Sequence, residues 1–196
     1  MNNYFIILAA GKGKRFNSKV PKAYYLYKGK PLIQHSIDKV KNYKKINKIL
    51  IVINKKHKKL INKINTKNAK IIVGGKTRAA SVFKALNSIK NFNVTNVLIH
   101  DAARPNFSLK LLDNLFSNLK YYKCVVPTIK TNDSVKFKNK NQIINLKREN
   151  IYLTQTPQAF HFKELYKLQK DQSSIITDEA NLFISANKKV KFINGE

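Results

Sequence analysis

Short apolar runs rich in isoleucine and valine alternate along the chain with segments in which apolar residues recur at helical spacing. The runs are short enough for buried strands, and the spacing between them is typical of amphipathic helices. Such alternation predicts a three-layer α/β/α domain with a mainly parallel sheet and right-handed crossovers. The predicted strands are residues 4–10, 49–53, 71–73, 94–99 and 122–126, and the first three predicted helices cover residues 32–40, 79–89 and 111–119, the last behind an N-cap at Ser108.

The pattern changes after Pro127, where two short alternating segments flank a polar turn. These segments, residues 134–137 and 143–146, predict a β-hairpin. Residues 133–153 are too few and too polar to form a domain, so the hairpin is either a surface excursion or an arm that packs on another subunit. Two more helices, residues 162–170 and 178–186, and a strand at residues 190–193 complete a single predicted domain over residues 1–196.

The composition is typical of one folded domain. The chain has 196 residues, of which 43% are hydrophobic. No segment approaches 18 uninterrupted apolar residues and the first residues lack the layout of a signal peptide, so we expect a cytoplasmic protein with no membrane partner. The one cysteine, Cys124, lies in an apolar run and predicts a buried thiol, which excludes disulfides and a cysteine metal site.

The formal net charge of +29 would ordinarily indicate a nucleic-acid or anionic membrane partner. Lysine accounts for almost all of it and is scattered among asparagine and isoleucine, as an AT-rich coding bias would produce on a solvated surface. We therefore expect no specific nucleic-acid partner. Arginine should persist only where a planar, permanently charged fork is needed, and the four arginines are Arg15, Arg78, Arg104 and Arg148.

Ligands of α/β sheets bind beyond the carboxyl ends of the strands, so the loop after the first predicted strand is a candidate site. There Gly11-Lys12-Gly13-Lys14-Arg15 is followed by Pro21-Lys22. Glycines let backbone amides approach phosphate oxygens, and the cations would neutralise a triphosphate. Read alone, the loop equally fits a plain tight turn. It lacks the third glycine of a dinucleotide fingerprint and the Gly-Lys-Ser/Thr ending of a P-loop, which disfavours both.

Two later strands are also followed by unusual residues. Gly74 and Gly75 could bring backbone groups close to a base edge, or could form a left-handed turn, with Ser81 one turn into the next helix. Asp101 could hold Mg²⁺ or a ribose hydroxyl, and Arg104 could bind a phosphate or a polyol. An Asp–Arg ion pair is the alternative interpretation.

The remaining candidates lie in the last third of the chain: Ser134, Arg148, Thr156 and Thr177. Thr177 also has a purely structural interpretation, as the N-cap of a helix with Asp178 and Glu179 in its first turn. No histidine pair has metal-binding spacing, and no serine elbow or Cys–His–acid order is present. Metal hydrolases and acyl-transfer enzymes are therefore excluded.

Taken together and in order, these segments resemble one family, the 2-C-methyl-D-erythritol 4-phosphate cytidylyltransferases of non-mevalonate isoprenoid synthesis. The resemblance covers nearly the whole chain, and all four arginines fall in the matched segments. Any one motif is weak, but five in the right order are strong. The motifs are Ala9-Ala10-Gly11-x-Gly13-x-Arg15 with Pro21-Lys22, Gly74-Gly75-x-x-Arg78-x-x-Ser81-Val82, His100-Asp101-Ala102-Ala103-Arg104-Pro105, Thr154-Gln155-Thr156-Pro157-Gln158 and Thr177-Asp178-Glu179-Ala180.

The resemblance implies a Rossmann-like nucleotidyltransferase domain in which the phosphate of methylerythritol phosphate attacks the α-phosphate of CTP and pyrophosphate leaves, with Mg²⁺ present. The protein would supply alignment and positive charge. By the matched motifs, Arg15 and Lys22 would stabilise the transition state, and Asp101 is also the candidate metal ligand. CTP would be placed by Ala9, Ala10, Gly11, Gly13, Gly74, Gly75, Ser81, Asp101 and Ala102, and the acceptor by Arg104, Ser134, Arg148, Thr156 and Thr177.

In the family the hairpin is a dimer arm that contributes residues to the neighbouring subunit's site, so the resemblance implies a homodimer with composite sites. The sequence departs from the family at three points. Lys76 replaces a common acidic residue beside the base, and Lys147 precedes Arg148 where aspartate is usual. The chain also ends at Glu196, before the loop and final helix that family members carry, and we expect it to be a fragment.

Three other functions stay open from the sequence. A ribitol 5-phosphate cytidylyltransferase would share the fold, the CTP loop and the arm. A CTP-binding homologue that is inactive without the C-terminal segment is a second alternative. A basic nucleic-acid-binding module is the third, and it predicts lysines concentrated on one face with aromatic platforms and a steep salt dependence.

Overall fold

Strands form where the apolar runs predict them, and helices fill most of the intervals between them. The computed structural model describes residues 1–11, 16, 18, 20–140, 142–170 and 178–196. The strands are β1 (Asn3–Ala9), β2 (Leu26–Tyr27), β3 (Lys30–Pro31), β4 (Lys48–Ile53), β5 (Ala69–Val73), β6 (Asn96–Asp101), β7 (Cys124–Lys130), β8 (Val135–Asn139), β9 (Gln142–Leu146), β10 (Tyr152–Thr154), β11 (Gln158–His161) and β12 (Lys191–Asn194). The helices are α1 (Leu32–Val40), α2 (Lys58–Ile61), α3 (Arg78–Asn87), α4 (Leu109–Leu119), α5 (Phe162–Lys170) and α6 (Ala180–Ser185).

Eight strands form one sheet in the order β10-β7-β11-β6-β1-β4-β5, with β12 also paired to β7. β1 runs parallel to β4 and β6, β5 runs parallel to β4, and β12 runs parallel to β7. β11 lies antiparallel between β6 and β7, and β10 lies antiparallel to β7. Leu8 is in register with both Val52 and Asp101, so the carboxyl ends of β1, β4 and β6 meet at one edge.

Successive side chains of the central strand enter two different cores, because neighbouring residues of a strand point to opposite faces. Phe5 and Ile7 of β1 join the cluster that includes Leu112 of α4. Ile6 packs on the other face with Leu86 of α3. Burial on both faces gives the three-layer α/β/α arrangement predicted from the sequence.

Side-chain caps fix where two helices begin. The Ser108 hydroxyl accepts a hydrogen bond from the Leu111 N–H at 3.0 Å, which confirms the predicted cap of α4. The Thr77 hydroxyl accepts one from the Ala80 N–H at 3.0 Å at the start of α3. Such caps satisfy backbone donors that the helix itself leaves unpaired.

Three expectations from the sequence are corrected by the structure. β7 does not end before Pro127 but continues to Lys130. Proline has no N–H to donate, but the Pro127 carbonyl still accepts a hydrogen bond from the Gln155 N–H at 2.8 Å, so the strand pairing continues through this residue. The antiparallel strands β10 and β11 were not predicted. The last helix begins at Ala180 rather than at residue 178.

The predicted hairpin is present as β8 and β9, which form a two-stranded sheet separate from the main one. Most of its side chains are exposed, including the apolar Phe137, Ile143 and Ile144. In the part of the chain that the structure describes, no helix is both long and apolar enough to cross a membrane.

Candidate active site

A cleft of about 1040 Å³ opens where β1, β5 and β6 end, beside the loop that follows β4. The parallel arrangement explains its position, because the loops at the carboxyl ends of neighbouring parallel strands converge on one edge of the sheet. Most of the residues predicted for the nucleotide side line this cleft. They are Ala9, Ala10, Gly11, Lys22, Gly74, Gly75, Ser81, Asp101 and Ala102, together with Arg104 from the predicted acceptor side.

The glycine pair forms a close-packed wall of the cleft. A β-carbon at residue 74 would lie 2.7 Å from the Ser81 hydroxyl oxygen and 3.0 Å from the β-carbon of Ala10, and one at residue 75 would lie 2.5 Å from the β-carbon of Ala80. Neither glycine has a left-handed backbone, so the interpretation as a left-handed turn is wrong. The glycines are required by close contact rather than by backbone angle.

Ser81 holds this wall in place. Its hydroxyl donates to the Thr77 carbonyl oxygen at 2.8 Å and accepts from the Gly75 N–H at 3.1 Å. The side chain is buried beneath the loop. Gly11 differs, because a β-carbon there would meet no atom of the described residues within 4 Å. Gly11 also lines the cleft, so its backbone is within reach of a ligand.

Asp101 lies between two arginines at the end of β6. Its carboxylate oxygens are 3.6 Å from Nε of Arg78 and 3.5 Å from Nε of Arg104. The Asp101 N–H donates to the Thr156 hydroxyl at 3.3 Å. The Asp–Arg ion pair considered from the sequence is therefore present, and it coexists with exposure of the carboxylate to the cleft.

Arg78 also forms a buried ion pair. Its Nη1 lies 2.6 Å from Oε1 of Glu179, which has no exposed surface. Burial raises the pKa of the Glu179 carboxyl, although the Arg78 guanidinium opposes the shift. Burial alone would lower the pKa of Arg78, but the charges of Glu179 and Asp101 outweigh it and raise that pKa. Removing one partner of such a pair lowers the free energy of unfolding by about 3–5 kcal/mol.

The sequence pattern predicts Glu179 in the first turn of a helix, but in the structure Glu179 lies just before the helix. α6 begins one residue later, and the Asp178 carboxylate accepts a hydrogen bond from the Asn181 N–H at 3.2 Å. Asp178 also accepts from the side chains of Thr154 and Gln158 at 3.1 Å each. Asp178 and Glu179 thus tie the start of α6 to α3 and to the strands behind the cleft.

His100 lies behind Asp101 in a fully buried position. Burial, together with the positive charges of Arg104 and Lys39, lowers its pKa to about 3, so the ring is neutral at physiological pH. Its two ring nitrogens lie 3.2 Å from the hydroxyls of Ser36 and Thr156. Thr156 is therefore buried against His100 and the Asp101 backbone, and its side chain does not line the cleft, where the resemblance would place it.

Lys22 begins a short 3-10 turn at the mouth of the cleft, directly after Pro21. Its ammonium group lies 5.8 Å from the centre of the Phe16 ring, and that ring packs edge-on against Tyr25 at 5.1 Å. The predicted site residues Gly13, Arg15 and Thr177 lie outside the described residues.

Two predicted acceptor residues on the arm are not brought to this cleft. Ser134 is exposed at the base of the hairpin. Arg148 donates from Nη1 to the Asn132 carbonyl oxygen at 2.8 Å, and its Nε lies 3.7 Å from Glu149. Within one subunit, the Ser134 and Arg148 side chains therefore lie on the arm and do not line the cleft that contains Asp101 and Lys22.

Sequence reasoning missed several cleft residues. Asn54 and Lys55 line the cleft and directly follow β4, so the rule applied to the other strand ends would have found them. Lys84 donates to the Gly74 carbonyl oxygen at 3.3 Å from the second turn of α3. No local signal pairs Arg78 with Glu179, because about a hundred residues separate them in sequence.

The fold and the cleft together place the chain among the α/β/α nucleotidyltransferases. A family model for IspD, 2-C-methyl-D-erythritol 4-phosphate cytidylyltransferase, matches residues 4–196. The chain belongs to this family, as its motifs predicted.

Curated relatives agree with this assignment. The bifunctional enzyme IspD/IspF of Pelagibacter ubique (strain HTCC1062) is 61% identical over 196 residues, which cover 100% of this chain and 53% of the relative. The 2-C-methyl-D-erythritol 4-phosphate cytidylyltransferase of Fusobacterium nucleatum is 32% identical over 205 residues, with 98% of this chain and 87% of the relative covered. The chain spans about half the length of the bifunctional relatives it matches.

Solved structures share the fold. The 4-diphosphocytidyl-2C-methyl-D-erythritol synthase of Anaerococcus prevotii DSM 20548 superposes with a TM-score of 0.87 at 29% identity, covering 100% of this chain and 87% of that one. The bifunctional IspDF of Campylobacter jejuni gives a TM-score of 0.86 at 33% identity, covering 100% of this chain and 50% of that one. The predicted fold class is confirmed.

Proposed function

We propose that this chain transfers CMP from CTP to 2-C-methyl-D-erythritol 4-phosphate and releases pyrophosphate. The observation that carries the proposal is the convergence of the loop after β1, the glycine pair after β5 and Asp101 of β6 on one cleft. Family membership and the printed names of the relatives support the same reaction. The name of the Pelagibacter relative includes a second enzyme, which this proposal does not concern.

The arrangement on the nucleotide side of the cleft supports CTP as the ligand. The wall formed by Gly74 and Gly75 packs tightly against Ser81 and Ala80 on its protein side, so its backbone is held in a fixed position beside the space in which a base could lie. The Asp101 carboxylate is available to accept hydrogen bonds from ribose hydroxyls. The backbone at Gly11 also lines the cleft, and a triphosphate could lie against it.

The reaction breaks one phosphorus–oxygen bond and forms another. An oxygen of the acceptor phosphate attacks the α-phosphorus of CTP, and the bond to the β-phosphate breaks as pyrophosphate leaves. Negative charge accumulates around the phosphorus, so fixed cations aimed at that position stabilise the transition state. Lys22 is the cation on the described walls to which we assign this role, and Arg15 is its proposed partner.

Mg²⁺ is the proposed cofactor, and Asp101 is the residue that would help to hold it. Among the described residues no group of three or more His, Cys, Asp or Glu side chains could hold a metal ion. Mg²⁺ commonly takes one or two carboxylates and fills its other positions with phosphate and water, so a single carboxylate such as Asp101 could suffice beside the nucleotide phosphates. When bound, it would neutralise charge on the triphosphate.

A homodimer is the assembly that we propose. The arm carries exposed apolar side chains, Phe137, Ile143 and Ile144, on a sheet that is separate from the main one. Ser134 and Arg148 lie on the arm, away from the cleft of their own subunit, as expected if they serve the neighbouring site. Sedimentation velocity tests the assembly, and a monomer at micromolar concentration would contradict it. A cytoplasmic location and the lack of a specific nucleic-acid partner stay predictions.

Pyrophosphate release tests the activity. We expect release that requires both CTP and methylerythritol phosphate, and slower or no release with ribitol 5-phosphate. Lys22→Ala should lower turnover by about 10²–10³-fold, the usual cost of removing one transition-state contact. Lys110→Ala, on the exposed face of α4, is the matched control and should retain wild-type turnover. Release with ribitol 5-phosphate alone would contradict the proposed acceptor.

A further inference from the structure

Arg78 and Glu179 lie in two of the matched motifs, yet neither has been given a role in binding or catalysis. Both stand out physically. Arg78 is one of four arginines in a chain that otherwise uses lysine. Glu179 is a carboxylate with no exposed surface, which is rare for a charged side chain unless it is paired.

The two residues join parts of the molecule that are distant in sequence. Arg78 is the first residue of α3, at the end of the loop that carries the glycine pair, and Glu179 immediately precedes α6. Oε1 of Glu179 is held by Arg78 Nη1 at 2.6 Å. The Nε of the same guanidinium lies 3.6 Å from Oδ1 of Asp101. One planar group therefore contacts a buried carboxylate on one edge and the cleft carboxylate on another.

The geometry of the guanidinium makes this bridge rigid. Its donors are fixed in one plane, so anchoring Nη1 also sets the direction of Nε. A charge-assisted hydrogen bond to a carboxylate shielded from water is a strong anchor. A lysine could pair with either carboxylate, but its single ammonium group could not hold both in this fixed relation.

The other arginine beside Asp101 is a weaker support. Arg104 approaches Asp101 at 3.5 Å, but 53% of its side chain is exposed, against 26% for Arg78. Exposed ion pairs of this kind contribute little and their side chains move freely. The backbone of Asp101 is fixed separately, by its N–H bond to Thr156. Of the two described cations beside the Asp101 carboxylate, Arg78 is therefore the one held in a fixed position.

We propose that Glu179 and Arg78 are positioning residues that orient the Asp101 carboxylate for the ribose of the bound nucleotide. Glu179 acts through Arg78 and does not itself touch the ligand. This inference rests on the proposed function, because it requires that Asp101 contacts CTP.

A double-mutant cycle on the full chain tests the inference, with CTP affinity measured by calorimetry. Glu179→Gln keeps the shape and a hydrogen-bond acceptor but removes the charge that fixes Arg78. We expect it to weaken CTP binding by about tenfold, in the range of coupling between residues that share a network. In an Asp101→Asn background the same substitution should have almost no effect, because the carboxylate that it orients is absent.

A purely structural role would give a different result. The weakening would then be the same in both backgrounds, and that additivity would overturn the inference. Tighter CTP binding by Glu179→Gln would also overturn it, because the charge would then act on the phosphates from a distance. Glu164→Gln is the control: Glu164 pairs with Lys123 at 2.8 Å on the far side of the molecule and should leave CTP affinity unchanged.

Arg78→Lys provides a second test if Glu179→Gln fails to fold. It keeps the positive charge but loses the fork, and it too should weaken CTP binding only when Asp101 is present. Equal CTP affinity of Arg78→Lys and wild type would overturn the inference. Failure of the wild-type chain to bind CTP at all would instead refute the proposed function, so the two failures are distinguishable.

Discussion

The glycines around the cleft fall into two physical types. Gly75 lies against the first turn of α3, where any β-carbon would collide with Ala80, whereas a β-carbon at Gly11 would meet no described atom within 4 Å. Both are candidates for contact with the nucleotide. Of the two, Gly75 is the one that the described residues require for the packing of the free protein.

This difference gives a paired prediction for alanine substitutions. Gly75→Ala should destabilise the chain by about 1–3 kcal/mol, the usual cost of forcing extra atoms into a packed site, and should weaken CTP binding. Gly11→Ala should leave the melting temperature nearly unchanged and weaken CTP binding only. Thermal melts and calorimetric titration of both variants check this. Equal melting temperatures for the two variants would contradict the steric argument.

His100 makes stability depend on pH. Its pKa is lowered to about 3 in the folded protein by burial and by the charges of Arg104 and Lys39. In the unfolded chain the ordinary value is near 6.5, so between these values the unfolded state binds more protons than the folded state. The stabilising contribution is therefore complete above about pH 6.5 and is lost as the pH falls.

We expect the free energy of unfolding to decrease by up to about 1.4 kcal/mol per pH unit below pH 6.5 from this one histidine. His100→Asn should be less stable at neutral pH but should lack this component of the slope. Urea denaturation at pH 5.0 to 7.0 in metal-free buffer, compared with a control substitution of the partly exposed His35, His35→Gln, measures it. A slope unchanged in His100→Asn would show that the ring is already protonated in the fold.

The caps of α3 and α4 allow an effect on folding stability to be distinguished from an effect on CTP binding. Thr77 and Ser108 each cap a helix with one hydrogen bond at 3.0 Å, but only Thr77 lines the cleft. Alanine at either position should cost about 1 kcal/mol of stability.

Only Thr77→Ala should also weaken CTP binding, because loss of the capping hydroxyl would loosen the turn whose backbone carbonyl, at residue 77, accepts from Ser81, which in turn holds Gly75. Chemical denaturation and CTP titration of both variants check the prediction. Weaker CTP binding by Ser108→Ala as well would indicate that any loss of helix stability is transmitted to the cleft.

Sequence reasoning recovered the elements that have strong periodicity. β1, β4 and β6 each contain a continuous apolar run, and α4 has a full amphipathic pattern behind a serine cap. β10 and β11 were missed because three or four residues carry too little pattern to distinguish a strand from a loop. β7 was ended too early because Pro127 signals a break unless its carbonyl pairing is known.

Part of the candidate site could also be predicted from the sequence. Loops at strand ends can be read from the sequence, so Gly74, Asp101 and Lys22 were found in advance. The Arg78–Glu179 pair and the burial of Thr156 could not be found, because they depend on contacts between distant segments. A residue's type shows what chemistry it can do, but not which neighbour it faces.

For the assembled molecule, the position of the arm determines whether one subunit alone can form a complete active site. If Arg148 serves the neighbouring cleft, then Lys22 and Arg148 of one site come from different subunits. Co-expressing a Lys22→Ala chain with an Arg148→Ala chain should then restore activity, although each variant alone is inactive. Random assembly predicts about a quarter of wild-type turnover, since half of the dimers would have one intact site of two.

The control for this experiment is a mixture of Lys22→Ala with Lys22→Met chains, which should stay inactive in any assembly. Absence of recovery in the first mixture, with dimers verified by sedimentation, would show that each cleft is built from one chain.

We propose that the cleft at the ends of β1, β5 and β6 transfers a cytidylyl group. The most direct measurement follows the phosphorus atoms, using CTP labelled separately at the α- and γ-phosphates with methylerythritol phosphate as acceptor. We predict that the α-label is recovered in a cytidine diphosphate ester of the acceptor and the γ-label in pyrophosphate. Recovery of the α-label in free CMP or CDP, with none in the acceptor, would contradict cytidylyl transfer by this cleft.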